Sequence, residues 1–247
     1  MKFKALIFDL DGTAIPNKPN GLPSKAVIDA VEKVKQELIV SVATGRPISN
    51  ARPILQKFNL THPCIISGGT QIIDPKTEKT LWQKRMTKKQ VSEVVEICKP
   101  YAYQILFGEE LSGVPAKDKT VTDSERIIYL MTVSKMDTPE ILNHMRSVLD
   151  IATHEVRSWT KDHVDIHITH SQATKKQALT KLFEILKIKK EEAIGVGDSN
   201  NDLPLFEMVG YKVAMDNGSD ELKKQADYVT SSVENDGLAK FILNKIQ

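Results

Sequence analysis

Near the start of the chain, Ala5-Leu6-Ile7-Phe8 runs into Asp9-Leu10-Asp11-Gly12-Thr13. The apolar run suits a strand buried on both faces, as in a parallel sheet. Residues i and i+2 of an extended chain point to one side. Asp9 and Asp11 therefore converge at the carboxyl end of that strand, and Gly12 lets the chain turn away. Like charges held this close are costly unless a cation or a proton separates them. The stretch asks for a metal or for acid/base chemistry.

Three further groups of polar residues follow apolar strands or open helices. Thr44-Gly45-Arg46-Pro47 ends the run Ile39-Val40-Ser41-Val42-Ala43. Lys175 opens a helical stretch, and Gly197-Asp198-Ser199-Asn200-Asn201-Asp202 follows Ala193–Val196. Ligands of open α/β sheets bind beyond the carboxyl ends of strands, at a switch point. Carboxylates with no Cys or His beside them form a hard, oxygen-only site that favours Mg²⁺ over zinc. A hydroxyl, an ammonium and helix-start amides are what a phosphoryl group needs around it. The residues thus read as Mg²⁺-assisted phosphoryl transfer with a carboxylate nucleophile.

The elements that must position these groups form a recognisable rhythm. Strand, helix, strand, helix and strand alternate from Ala5 to Ser67, the pattern of a parallel α/β sheet. Gln71–Asp74 and Thr80–Trp82 then look like a hairpin. From Thr87, whose spacing to Gln90 fits a capping box, the order becomes helix–strand–strand, twice over. The strands are Tyr103–Phe107, Ile127–Val133, Ile151–Arg157 and Val164–Ile168, with Gly108–Asp123 as a long polar loop. The parallel pattern resumes at Lys175–Leu186, Ala193–Val196, Tyr211–Met215 and Tyr228-Val229, and a helix over Leu238–Ile246 closes it. The expected fold is α/β, a Rossmann-like core (1–82 and 169–247) with an inserted α+β unit (83–168).

Composition narrows the function. A net charge of +2 over 247 residues builds no field for nucleic acid or an anionic membrane. No apolar stretch reaches a membrane span, and no charged-then-apolar leader precedes the first strand. Cys64 and Cys98 form no CxxC pair, which suits a reducing cytosol and a cytoplasmic protein. The six His residues show no ligand spacing, and His167 is expected on the outer face of its strand. Trp82 and Trp159 read as packing residues at the hinge. Gly195-Val196-Gly197-Asp198 is no dinucleotide fingerprint, because its third Gly is missing. The oligomeric state is not legible.

Taken together, the motifs resemble the haloacid dehalogenase-like hydrolases, in particular their class IIB, Cof-type phosphatases. The resemblance covers the whole length. It rests on Asp9-Leu10-Asp11-Gly12-Thr13, on Thr44 before Gly45, on Lys175 in Thr174-Lys175-Lys176-Gln177-Ala178-Leu179, and on the acidic Gly197–Asp202 stretch. By that resemblance Asp9 attacks phosphorus and becomes an aspartyl-phosphate, while Asp11 protonates the leaving oxygen and then activates water. Lys175 is the catalytic Lys, and Thr44, Gly45 and Asn201 touch the phosphate. Mg²⁺ is held by Asp9, the Asp11 main-chain carbonyl and Asp198, with Asp202 in support. The insert becomes a C2B-type cap that sets substrate choice, with the Gly108–Asp123 loop and the strand of Asp165 as candidate contacts.

Two departures stand out. Ser67-Gly68-Gly69-Thr70 replaces the family's Asn-Gly-Ala, and Lys176 replaces a Gly. The leading expectation is hydrolysis of a small phosphate ester such as a sugar phosphate. A phosphomutase using the same aspartyl-phosphate is the first alternative, and a non-catalytic binding protein on the same fold is the second. The intact set Asp9, Asp11, Lys175 and Asp198 argues against the latter.

Overall fold

The computed structural model describes residues 3–18, 20–110 and 112–246. The chain divides into two compact units, Met1–Trp82 with Lys175–Gln247, and Gln83–Thr174.

The first unit is built on a parallel sheet. Its strands are β1 (Ala5–Phe8), β2 (Ile39–Val42), β11 (Ala193–Gly197), β12 (Tyr211–Met215) and β13 (Tyr228–Thr230), in the order β13-β12-β11-β1-β2. Ala43 bridges Ile65 in parallel, so β3 (Cys64–Ile66) lies beside β2. β3 then pairs antiparallel with β4 (Gln71–Ile73), and β5 (Thr80–Gln83) completes a three-stranded sheet.

Every residue of β1 is buried, which its unbroken apolar run requires. Leu6 and Phe8 face α1 (Lys25–Val34), α2 (Ile48–Phe58) and α8 (Gly237–Phe241), whose inward residues include Val31, Leu55 and Phe241. Ala5 and Ile7 face the other layer, with Leu179 and Leu182 of α5 (Lys175–Leu186) and Leu205 of α6 (Leu203–Glu207). Alternation along one strand thus feeds two cores. α7 (Asp220–Gln225) has only Leu222 buried, so its sequence carries no helical period. The closing helix is α-helical only to Phe241 and continues over Ile242–Ile246 as a π-helix.

The second unit packs two helices on one face of an antiparallel sheet. The sheet order is β7-β6-β8-β10-β9, from β6 (Gln104–Phe107), β7 (Val114–Pro115), β8 (Ile127–Ser134), β9 (Ile151–Arg157) and β10 (His163–His170). Val91, Val94 and Val95 of α3 (Lys88–Cys98) and Ile141 and Met145 of α4 (Thr138–Met145) meet Ile128, Leu130, Ile166 and Ile168. The Thr87–Gln90 capping box forms at the start of α3.

Several expectations change here. β10 extends past Ile168 to His170, because its pairing with β9 continues to His170↔Ile151. Gly108–Asp123 is not all loop, since it holds β7 and a 3₁₀ turn at Ala116–Asp118, pinned by the Lys119–Glu110 ion pair. Trp159 is 54% exposed rather than packed, whereas Trp82 packs against the α5 layer. His167 lies on the sheet face away from the helices, its ring edge-on to Tyr129 at 4.8 Å. Asp165 accepts from the Thr132 main-chain N at 2.7 Å, where Thr132 has φ +54. Its carboxylate therefore stabilises a strained bulge. Among the described residues, no helix is long and apolar enough to cross a membrane.

Candidate active site

β1 pairs in parallel with β11 on one side and β2 on the other, so the chain leaves β1 at a switch point. Asp9 N donates to Val196 O at 3.0 Å, and Ala43 N donates to Phe8 O at 3.0 Å. These two bonds set the Asp9, Asp198 and Thr44 loops side by side at the carboxyl ends of their strands. The turn at Gly12 needs glycine twice over: its φ is +79°, and a Cβ would stand 2.2 Å from Asp198 Oδ2.

Asp9, Asp198 and Asp202 each offer an oxygen within 4.8 Å of the others. All three are buried, with Asp202 fully inaccessible. Lys175 Nζ donates to Asp202 Oδ1 at 2.7 Å and to Asp9 Oδ1 at 3.3 Å. Asp202 Oδ2 accepts from the main-chain N of Asp198 at 3.1 Å and of Ser199 at 3.2 Å. Both Asp202 oxygens are therefore engaged by the protein itself, and the residue braces the Asp198 loop. Thr13 Oγ1 donates to Asp198 Oδ1 at 3.2 Å.

The electrostatics follow from crowding. Burial raises Asp9 well above the carboxylate range. Lys175 pulls it back, while Asp202, Asp198 and Asp11 push it up. Burial and then Asp202 lift Asp198 to about 8. Burial alone would lower Lys175, but the Asp202 and Asp9 carboxylates outweigh it and raise its pKa. The single ammonium leaves the carboxylates undercompensated. A hard dication fits this all-oxygen donor set.

Asp11 does not join that cluster through its side chain. Its carboxylate pairs bidentately with Arg46, Nε to Oδ2 at 2.7 Å and Nη2 to Oδ1 at 2.5 Å. Arg46 also donates to Lys18 O at 3.1 Å. Thr44 is fully buried, and its Oγ1 accepts from Arg46 N at 3.1 Å, which leaves its hydroxyl hydrogen to donate. Gly45 lies between them in the same turn. Asn201 Oδ1 accepts from Ser199 Oγ at 2.9 Å, so its NH₂ is the end left to donate.

The two departures from the family pattern also find their places. Ser67 N donates to Arg46 O at 2.8 Å and Gly68 N to Thr44 O at 3.1 Å, so that turn buttresses the Thr44 loop. Lys176 pairs with Glu207 on the surface at 2.6 Å.

Arg46, Thr13 and Asn217 were not singled out from the sequence. For Arg46 the available signal was a cation two residues beyond Thr44 at a strand end. For Asn217 it was the polar turn Asp216-Asn217-Gly218-Ser219 directly after the apolar end of β12.

A sequence profile of haloacid dehalogenase-like hydrolases matches residues 6–242. The chain belongs to that family. It is 26% identical to the 5-amino-6-(5-phospho-D-ribitylamino)uracil phosphatase YitU of Bacillus subtilis, over 96% of this chain and 95% of that one. It is 24% identical to a phosphoglycolate phosphatase of Methanosarcina acetivorans, over 98% and 96% respectively. Among solved structures, a subclass IIB sugar phosphatase superposes with a TM-score of 0.79 at 22% identity, covering 97% of this chain and 98% of its own. At that identity the likeness is one of fold.

Proposed function

We propose that this protein is a Mg²⁺-dependent phosphatase that hydrolyses a small phosphorylated metabolite, a sugar phosphate or similar phosphomonoester, through an aspartyl-phosphate on Asp9. The observation that carries the reading is the position of Lys175 Nζ between Asp9 and Asp202, with Asp198 alongside. That is a buried nucleophile, a fixed countercharge and a cation site in one place. The phosphatase names of full-length relatives support the same reading.

In this scheme an Asp9 oxygen attacks phosphorus and the ester P–O bond breaks. Asp11 gives its proton to the leaving oxygen. Water then attacks the phosphorus of the aspartyl-phosphate and loses a proton to Asp11, and inorganic phosphate and the Asp9 carboxylate are released. Lys175 neutralises charge on Asp9 and on the phosphoryl oxygens. Thr44 Oγ1, the Gly45 N–H and the Asn201 amide donate to those oxygens. Asp9, Asp198 and the Asp11 main-chain carbonyl would hold Mg²⁺, with Asp202 in support. Bound there, the ion supplies positive charge against the phosphoryl group.

None of these groups distinguishes one leaving group from another. That task falls to the inserted unit, Gln83–Thr174. A cytoplasmic setting suits the two cysteines, both buried and unbridged, whose thiols burial pushes up to about 12.

The test is hydrolysis of p-nitrophenyl phosphate with and without Mg²⁺, followed by a panel of phosphate esters. Phosphate release that requires Mg²⁺ is expected. No release from any ester, or isomer formation without release, would overturn the reading.

A further inference from the structure

One turn outside this reaction scheme grips both acidic loops. Asn217, just after β12, donates from Nδ2 to Gly12 O at 2.8 Å and accepts on Oδ1 from Val233 N at 2.8 Å. Two residues on, Ser219 N donates to the main-chain oxygen of Asp198 at 2.8 Å. Between them, Gly218 sits so close that a Cβ would stand 2.9 Å from Asp198 O.

Asn217 ties its turn to a loop from a strand that is not its neighbour in the sheet. β12 and β1 are separated by β11, so the loops that follow them meet past the end of the strand between. The turn itself closes without that side chain, through Gly218 N to Met215 O at 2.8 Å. What the amide adds is a fixed position for the Gly12–Thr13 peptide. Thr13 in turn donates Oγ1 to Asp198 Oδ1 at 3.2 Å. Asn217 is thus linked to the Asp198 carboxylate through the Gly12–Thr13 peptide, while Ser219 fixes the Asp198 main chain.

We propose that Asn217 is a positioning residue for the cation site, setting the separation between the Asp9–Thr13 turn and the Asp198 loop. The proposal rests on the Mg²⁺ reading above. Mg²⁺ demands near-ideal octahedral geometry, so loss of a positioning contact weakens metal binding before it unfolds the core. Outer partners of metal ligands typically govern affinity by about 10–100-fold.

The experiment is calorimetric titration of the full chain with Mg²⁺ alone, with melting temperature recorded beside it. The variants are Asn217→Ala, Asn217→Ser and Val233→Pro. The Asn217 variants lose the reach to Gly12 O. Val233→Pro removes the N–H that Asn217 Oδ1 accepts and exchanges one buried valine, but leaves the Asn217 Nδ2 bond to Gly12 O in place; it falls at the first position of a 3₁₀ turn after extended Ser232, where proline fits. The Mg²⁺ dissociation constant is expected to rise about tenfold or more in both Asn217 variants and to stay within about twofold in Val233→Pro. Excess Mg²⁺ should restore the turnover of Asn217→Ser. If Asn217→Ala does not fold, Asn217→Ser decides. A lowered melting temperature with unchanged Mg²⁺ affinity in Asn217→Ser, or an equal loss in Val233→Pro, overturns the positioning role alone. No Mg²⁺ binding by the wild type overturns the metal reading and this proposal with it.

Discussion

Arg46 holds both carboxylate oxygens of Asp11, Nε to Oδ2 at 2.7 Å and Nη2 to Oδ1 at 2.5 Å, with the Arg46 side chain only 10% exposed. A planar fork on a planar carboxylate fixes rotation as well as distance. Asp11 is also the group proposed to move protons, which it can carry only on an oxygen that Arg46 has released, so Arg46 governs both the direction of that carboxylate and the oxygen open to the leaving group. Arg46→Ala should lower kcat by about a hundredfold at most, the lower end of what a positioned general acid contributes, with a smaller change in KM. Arg46→Lys should recover little, because an ammonium cannot reproduce the fork. Steady-state kinetics on p-nitrophenyl phosphate reads this, and an unchanged or raised kcat in Arg46→Ala would refute the positioning.

Burial and Asp202 lift Asp198 to about 8, so the carboxylate cluster is strained in the absence of a cation. Asp198→Asn relieves that strain and removes a ligand. The metal-free variant should melt at or above the wild-type temperature. Millimolar Mg²⁺ should raise the melting temperature of the wild type and leave that of the variant unchanged, as expected for a ligand that binds only the native state. Equal Mg²⁺ stabilisation of both proteins would place the ion elsewhere.

His167 gives a pH signature in the inserted unit. Burial and then His154 lower its pKa from 6.5 to about 3 in the folded state. The unfolded chain therefore takes up the proton more readily. Stability from this group is fully present above pH 6.5 and is lost as pH falls toward 3. The slope is at most about 1.4 kcal/mol per pH unit for one proton. Denaturant melts of wild type and His167→Gln between pH 7 and pH 4 should diverge by that slope. Parallel curves would show that His167 protonates in place.

Much of this arrangement was legible in the sequence because it is local. The apolar run before Asp9, Thr44 at a strand end and the Thr87–Gln90 box are all set within a few residues, whereas the i, i+2 spacing did not bring the Asp11 carboxylate to Asp9, because Arg46 holds it. What escaped is set at long range. Asn217 meets Gly12 across 205 positions and Arg46 meets Asp11 across 35, and neither pair leaves a periodic trace. β7 is two residues long, and α7 buries only Leu222, so neither has a hydrophobic pattern to read. The strand of Asp165 read as a candidate substrate contact, and the bulge it carries, where Asp165 Oδ1 accepts from the Thr132 amide, left no trace in the sequence. Tertiary context decided that, as it decides most strand irregularities.

The central claim is that Asp9 carries the phosphoryl group. Its oxygen Oδ1 lies 3.3 Å from Lys175 Nζ, which also holds Asp202 Oδ1 at 2.7 Å, while Asp202 Oδ2 is taken by the Asp198 and Ser199 amides. The most direct measurement is a rapid acid quench of enzyme with Mg²⁺ and a ³²P-labelled phosphomonoester, followed by proteolysis and mapping of the label. The label should appear on the peptide containing Asp9 and be absent from Asp9→Asn, which should fold normally and turn over no substrate. A label on another residue, or turnover by Asp9→Asn at the wild-type rate, would contradict the account.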